Sequence, residues 1–492
     1  MQLLARRTGL IEAIDERLHV LKVHLPYHES DHVLNIAYNL LAGGTCLEDL
    51  ELRRNDEVFL NALGAQRIPD PTTAGDFCRR FAEPDLQALM NAVNAVRVTV
   101  WRQQPDAFLE EAVIDTDGHQ IITTGECKAG MDISYQGDWG YHPLLVSLAN
   151  TTEPLFVANR SGNRPSHEGA AWYQDRAARL CREAGFRKVL LRGDTDFSQT
   201  VHLDRWDAAG IRFVFGIDAM PNLVEIAEHL PTSAWRRLER PARYAVKGEP
   251  RGRRENVKDQ IVRRRGFECI RLQSEQVAEF DYRPTLCEKP YRVVAVRKNL
   301  SVEKGEQVLF DGVRYFFYIT NDGDRSAAAV VFCANDRCNQ KNLIAQLSGG
   351  VRALCAPVDN LLSNWAYMVM ASLAWTLKAW FALLLPEPGA ACGDVAPQAL
   401  GRWGDSYRQQ KHRVLRMEFK TFANAFIRVP CQIVRAGRRI IYRLLAWNPW
   451  QDVFLRGVDG LCRRARDAIG DAARVGAISS AARGATRHPL RC

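Results

Sequence analysis

Two short apolar runs that end in acidic turns limit the fold of this chain more than any other feature of its sequence. The first, Ala112–Ile114, leads into a turn that holds Asp117, and the second, Val189–Leu191, leads to Asp194. A helical pattern over residues 170–183 separates them. Strands that alternate with helices and end in acids predict an α/β domain with a ligand site along one edge of its sheet.

The residue pattern of the chain changes at four points, which we take as predicted domain boundaries. Near the N-terminus, Asp70-Pro71 predicts the start of a helix. The short basic helix that follows is either a DNA-end contact or a packing helix. The predicted divisions are a helical N-terminal domain (1–108), the first part of the α/β core (109–216), a β-rich insertion with arginine clusters (217–324), a helical completion of the core (325–386) and a basic C-terminal region (387–492).

One apolar stretch, Trp365–Leu385, approaches the length of a membrane span. Because Lys378 interrupts it, we predict a buried core helix and no membrane partner. The 13 cysteines include no C-x-x-C pair, which argues against both a disulfide framework and a structural zinc site. A reducing cytoplasm fits this cysteine usage best.

The positive charge of the chain is confined to one stretch. The formal net charge is +9, and residues 401–450 alone hold 11 Lys+Arg against 2 Asp+Glu, so that the remainder is balanced. A local basic excess predicts contact with a polyanion. The predicted DNA contacts there include Arg435, Arg438 and Arg439; the alternative is a solvated face with no partner.

Acids that end neighbouring strands are what a two-metal phosphoryl-transfer site requires. Carboxylates held rigidly at strand ends can bind Mg²⁺ or Mn²⁺, which activate the attacking oxygen and stabilise the leaving one. Asp117 is the first candidate ligand, with Asp115 in reserve, and Asp194 is the second, with Asp196 in reserve. Acids are also common in strand-end turns that have no function.

Three segments, residues 114–118, 139–144 and 191–197, resemble DDE-type transposases of bacterial insertion sequences. Among these the chain is most similar to the group whose RNase H-like core is split by a β-rich insertion. The resemblance implies an α/β, RNase H-like core interrupted by that insertion, with an N-terminal helical domain and a basic C-terminal region. It also implies Mg²⁺-dependent cutting and rejoining of DNA, inverted-repeat ends and target DNA as partners, a homodimer that pairs two ends, and a place on the bacterial nucleoid.

The third catalytic position is where the chain departs from the family. The family's core helix follows the pattern Tyr-x-x-Arg-x-x-x-Glu-x-x-x-x-x-x-Lys, often with Gln-Glu-Asn around the acid, and the matching residues are Ala334, Arg337, Lys341 and Ser348. The resemblance implies that positions 337 and 348 hold DNA. A lysine in place of the metal-binding Glu reverses a charge, worth about 4 kcal/mol at about 4 Å and an effective dielectric of about 20.

We therefore predict a cut-and-paste transposase whose catalytic site is defective in this copy. In the competing hypothesis Asp336 or Asp359 completes the site. Two alternatives stay open: a DNA-binding protein without catalysis that occupies element ends, and a metal-dependent nuclease without joining activity. In the insertion, Trp235 lies beside arginines and either stacks on an extruded base or packs in the insertion core.

Overall fold

A computed structural model describes residues 1–240, 256–304, 307–386, 397–437, 439–445 and 448–462. Helices occupy the N-terminal part. Helix α6 begins where predicted, because the Asp70 carboxylate accepts a hydrogen bond from the Thr73 amide at 2.8 Å. The N-terminal helices are α1 (Gln2–Thr8), α2 (Leu10–Arg17), α3 (Glu29–Leu41), α4 (Leu50–Arg54), α5 (Glu57–Leu63), α6 (Pro71–Cys78) and α7 (Glu83–Trp101).

The α/β core follows these helices. Its elements are β1 (Glu111–Gly118), β2 (Ile121–Ile122), β3 (Asp132–Ile133), β4 (Trp139–Tyr141), β5 (Leu144–Leu148), β6 (Glu153–Ala158), α8 (Ala170–Ala184), β7 (Lys188–Gly193), α9 (Leu203–Ala208) and β8 (Arg212–Ile217). The core strands lie in the order β6-β5-β1-β7-β8; β5 is antiparallel to β1 and to β6, whereas β7 is parallel to both β1 and β8. The α/β, RNase H-like class predicted from the sequence is confirmed.

The β-rich insertion does not form a separate sheet. Its last strand pairs antiparallel with β8, with Phe317 opposite Ile217, and the core sheet thereby extends to nine strands. The edge of β8 would otherwise present unpaired backbone groups. The elements of this segment are α10 (Pro221–His229), β9 (Arg236–Arg237), α11 (Val257–Arg265), β10 (Glu268–Tyr282), β11 (Tyr291–Lys304) and β12 (Gln307–Thr320).

Two short helices and a long one complete the core: α12 (Ala327–Asp336), α13 (Cys338–Ala345) and α14 (Leu361–Leu383). Within the described ranges, α14 is the one helix long and apolar enough to cross a membrane, and its apolar window is fully buried inside the protein. Lys378 is buried within it and donates to the Leu415 carbonyl at 2.8 Å. The prediction of a buried core helix is confirmed.

The basic C-terminal region is partly built into the core. Helices α15 (Pro397–Arg416) and α16 (Phe419–Phe422) bring Val414, Phe419 and Phe422 into the buried cluster around α14. A hairpin of β13 (Cys431–Ala436) and β14 (Arg439–Leu444) follows. The predicted domain boundaries themselves stay predictions.

Candidate active site

The two predicted acids meet at one edge of the core sheet. Asp117 is the last residue but one of β1, and Asp194 directly follows β7. These strands are parallel neighbours, with Asp115 paired to Arg192, so the next two positions along each strand bring Asp117 level with Asp194. Both acids therefore lie at the carboxyl end of the sheet, where ligands of α/β proteins bind.

One arginine holds the two carboxylates together. The Arg337 guanidinium, at the junction of α12 and α13, places Nη1 3.2 Å from Asp117 Oδ2 and Nη2 3.1 Å from Asp194 Oδ2. The planar fork of arginine suits two acceptors at once. The resemblance assigned Arg337 to DNA; in the free protein its charge is engaged by the acid pair.

Burial and mutual repulsion make the acid pair easier to protonate. Burial is the main cause that raises the pKa of Asp117 to about 6, and the nearby Asp194 carboxylate raises it further, while Arg337 and Lys341 lower it. Burial also raises the pKa of Asp194. Perturbed carboxyl groups at a sheet edge are typical of functional sites.

Lys341 lies one helical turn after Arg337 on α13, and its side chain is exposed. Its positive charge lowers the pKa of both Asp117 and Asp194, which places it within electrostatic reach of the pair. The ion pairs themselves are made by Arg337. Two cations thus balance two carboxylates at this edge.

The acid pair supplies part of a metal site. Carboxylate oxygens are the ligands that Mg²⁺ and Mn²⁺ prefer, and Asp194 Oδ1 is a buried oxygen with no hydrogen-bond partner. No cluster of three or more His, Cys, Asp or Glu side chains suited to a metal occurs among the described residues. Asp117 and Asp194 therefore fit two ligand positions, and Lys341 stands where a further acid would be needed.

The two reserve candidates lie in different surroundings. Asp115 is buried and forms a bidentate ion pair with Arg192, at 2.7 Å to Nε and 2.9 Å to Nη2. Asp196 is exposed, and its charge raises the pKa of Asp194. Asp115 therefore has both carboxylate oxygens engaged by its own arginine, whereas Asp117 shares Arg337 with Asp194, and this favours Asp117 as the ligand.

The two acids considered as substitutes for the third ligand, Asp359 and Asp336, have different surroundings. Asp359 pairs with Arg79, the residue that follows α6, with Oδ2 3.1 Å from Nε, and thereby ties the N-terminal helices to the start of α14. Asp336 is exposed at the last residue of α12 and lines a cavity beside Asp115.

The contrast between Asp115 and Asp117 gives a stability prediction. Replacing Asp115 by Asn should lower the free energy of unfolding by about 3–5 kcal/mol, because it leaves the buried Arg192 guanidinium without its anion. Asp117→Asn, in a site where burial disfavours the charged carboxyl, should leave stability unchanged or higher. Urea unfolding of both variants in metal-free buffer measures this. Equal losses in the two variants would contradict the assignment.

Gln340 is a positioning residue that the sequence analysis did not single out. Its Nε2 donates to the carbonyl oxygens of Asp115 and Leu145, each at 3.1 Å, and so fixes α13 across β1 and β5. Those bonds set the distance of the Arg337–Lys341 turn from the acids. The available signal was the Gln of the family's Gln-Glu-Asn string, of which this chain keeps Gln340 and Asn342 on either side of Lys341.

Two other residues that were predicted to contact DNA, Ser348 and Trp235, contact other residues of the protein. The Ser348 hydroxyl lies 3.2 Å from His119 Nε2, just beyond the end of β1. Trp235 is 7% exposed and packs beneath Arg297, whose guanidinium carbon is 4.3 Å from a ring centroid, and beside Tyr315. The base-stacking hypothesis for Trp235 does not fit this burial, and the alternative of a packed insertion core does.

Two of the three predicted arginine contacts of the C-terminal region fall on the hairpin. Arg435 is exposed on β13 and forms an ion pair with Glu57 of α5, at 2.6 Å. Arg439 is the first residue of β14. Arg438 lies outside the described residues.

The sheet order and the paired acids at adjacent parallel strand ends define an α/β protein with an acidic candidate site at the carboxyl end of its core sheet. The chain belongs to the family described as transposase DDE domain group 1, whose model matches residues 1–395. No curated protein matches the chain in sequence. A cryo-EM structure of the piggyBac transposase synaptic complex with hairpin DNA is similar to this chain at 8% sequence identity and a TM-score of 0.39. The similarity covers 85% of this chain and 80% of that one.

Proposed function

We propose that this transposase is built to cleave and join DNA at the ends of a cut-and-paste insertion sequence, and that Lys341 makes this copy catalytically defective. Asp117 and Asp194 would hold a divalent cation, Mg²⁺ or Mn²⁺. When bound, the cation would activate the attacking oxygen and stabilise charge on the phosphoryl group. The observation that carries the proposal is the pair of carboxylates linked by one guanidinium.

The charges around the acid pair support the proposal that this copy is catalytically defective. Arg337 and Lys341 together offset the two carboxylates, so a divalent cation would enter a neutral cluster. With Glu at position 341 the same cluster would carry two net negative charges, which one divalent cation neutralises. The substitution thus removes both a ligand and the electrostatic attraction for metal.

Arg337 has two roles in this proposal. In the free protein it keeps the buried carboxylates ionised, since its charge lowers the pKa of both. When a DNA phosphate reaches the sheet edge, it offers the guanidinium a second bidentate anion. Arg337 would then turn from the acids to the phosphate, as the family pattern implies.

A second candidate function follows from the same charge balance. A chain whose acid pair is neutralised by its own cations can occupy element ends, with a partner copy, without cleaving them. Retained binding of element-end and target DNA without metal-dependent nicking would identify this non-catalytic binder.

The metal assignment is tested by calorimetric titration with Mn²⁺. In the Lys341→Glu background, where a third carboxylate restores the attraction for metal, Asp117→Asn and Asp194→Asn should each abolish binding at the core. DNA affinity should stay within about twofold, because neither acid is proposed to hold DNA alone. Asp196→Asn is the matched control, since it removes an exposed neighbouring carboxylate and should leave binding intact. Metal binding by all three variants at the level of the Lys341→Glu chain itself would refute the site.

A further inference from the structure

The C-terminal hairpin forms a two-stranded sheet of its own. Its six paired positions run from Cys431 opposite Leu444 to Ala436 opposite Arg439, and Gly437, with φ of 60°, begins the turn. An isolated two-stranded hairpin is only marginally stable in water. A surface that such a hairpin presents is therefore expected to gain order from a partner.

The charge of this segment indicates an anionic partner. Between Glu418 and Asp452 the sequence contains no acidic residue, and it contains six basic ones. The exposed residues of the hairpin also include Ile441 and Tyr442, 41% and 43% exposed, so apolar side chains accompany the basic ones on its surface.

The two faces of the hairpin differ. Residues opposite each other in an antiparallel pair project to the same face, and the faces alternate along each strand. One face carries Arg435, whose ion pair with Glu57 turns it toward the N-terminal helices. The other carries Gln432 opposite Arg443, both exposed.

We propose that this ribbon lies in the major groove of duplex DNA and that Gln432 and Arg443 contact base edges there. The major groove is about 12 Å wide and admits a two-stranded ribbon. Arginine binds guanine O6 and N7, and glutamine binds adenine N6 and N7, each through two hydrogen bonds. Ile441 on the same face suits the methyl group of thymine. The inference rests on the proposed function, since it names the element that would recognise the transposon end.

Duplexes selected from a random pool by the full-length chain serve as probes. In methylation interference, guanine N7 methylation, which blocks the major groove, should prevent binding at defined positions. Arg443→Ala should lose that interference and reduce the preference for guanine there by about 5- to 150-fold. Gln432→Ala should relax a preference for adenine at a neighbouring position.

Arg435→Ala is the control on the other face. It should weaken binding to all duplexes alike and leave the interference pattern unchanged. Unchanged guanine interference in Arg443→Ala and an unchanged adenine preference in Gln432→Ala, both with normal circular dichroism, would overturn base reading by the hairpin. If the parent chain binds the duplexes and the metal titration gives the expected losses, that result refutes base reading by the hairpin and leaves the proposed function standing. A parent chain that binds no duplex would refute the proposed function as well.

Discussion

Lys341→Glu is expected to raise metal-dependent nicking of DNA at the element end by about a thousandfold. The change replaces a repelling cation by a third carboxylate beside Asp117 and Asp194, and a difference of about 4 kcal/mol in electrostatic energy corresponds to about three powers of ten in rate. Nicking of a plasmid that carries the gene with its natural flanking DNA, with and without Mg²⁺, measures the effect.

Lys341→Gln is the matched control, because it removes the positive charge without supplying a ligand. It should raise nicking by less than about tenfold. Lys341→Glu should also lower the melting temperature of the metal-free protein, since three carboxylates then face one arginine, and Mn²⁺ should restore it. Ser348→Lys and Ala334→Tyr complete the family pattern if the single change restores only part of the activity. Rapid cleavage by the parent chain, unaffected by Lys341→Glu, would show that another residue is the third ligand.

DNA affinity is expected to fall about a thousandfold between about 50 and 200 mM salt, because about six phosphate contacts give a slope of about −5 for log K against log salt. Deleting residues 401–450 is an unsuitable test, since Val414, Phe419 and Phe422 are buried against the core. A triple variant that neutralises exposed arginines of the C-terminal region, Arg413→Gln, Arg428→Gln and Arg435→Gln, should bring the slope to about −2.5.

The control for that measurement keeps the same change in net charge at another place. Arg179→Gln, Arg182→Gln and Arg187→Gln neutralise three exposed arginines on and just after α8. This variant should retain the steep salt dependence. A slope that changes equally in both triple variants would show that binding depends on overall charge, and that the C-terminal region is not the contact.

The residues whose roles are local were predictable from the sequence. Asp117 and Asp194 end apolar strands, and parallel strands place their ends at a common edge. The N-cap at Asp70 and the uninterrupted burial of α14 likewise follow from short-range patterns.

The contacts between distant elements were not predictable. Arg337 bridges two strands from a helix junction more than a hundred residues away, and only the packing fixed by Gln340 brings it there. The pairing of β12 with β8 depends on tertiary structure for the same reason. The hairpin could have been predicted, since Gly437 with Arg438 separates two β-prone runs in the sequence. The prediction for this stretch was based on the charge of its arginines alone.

The central claim is that Asp117 and Asp194 form the metal site of a transposase. The most direct measurement is anomalous diffraction at the manganese edge from crystals of the Lys341→Glu chain grown with Mn²⁺. The account predicts a peak between the carboxylates of Asp117 and Asp194, with Arg337 displaced from at least one of them. A manganese peak beside Asp115, Asp336 or Asp359, with the Arg337 bridge intact, would contradict it.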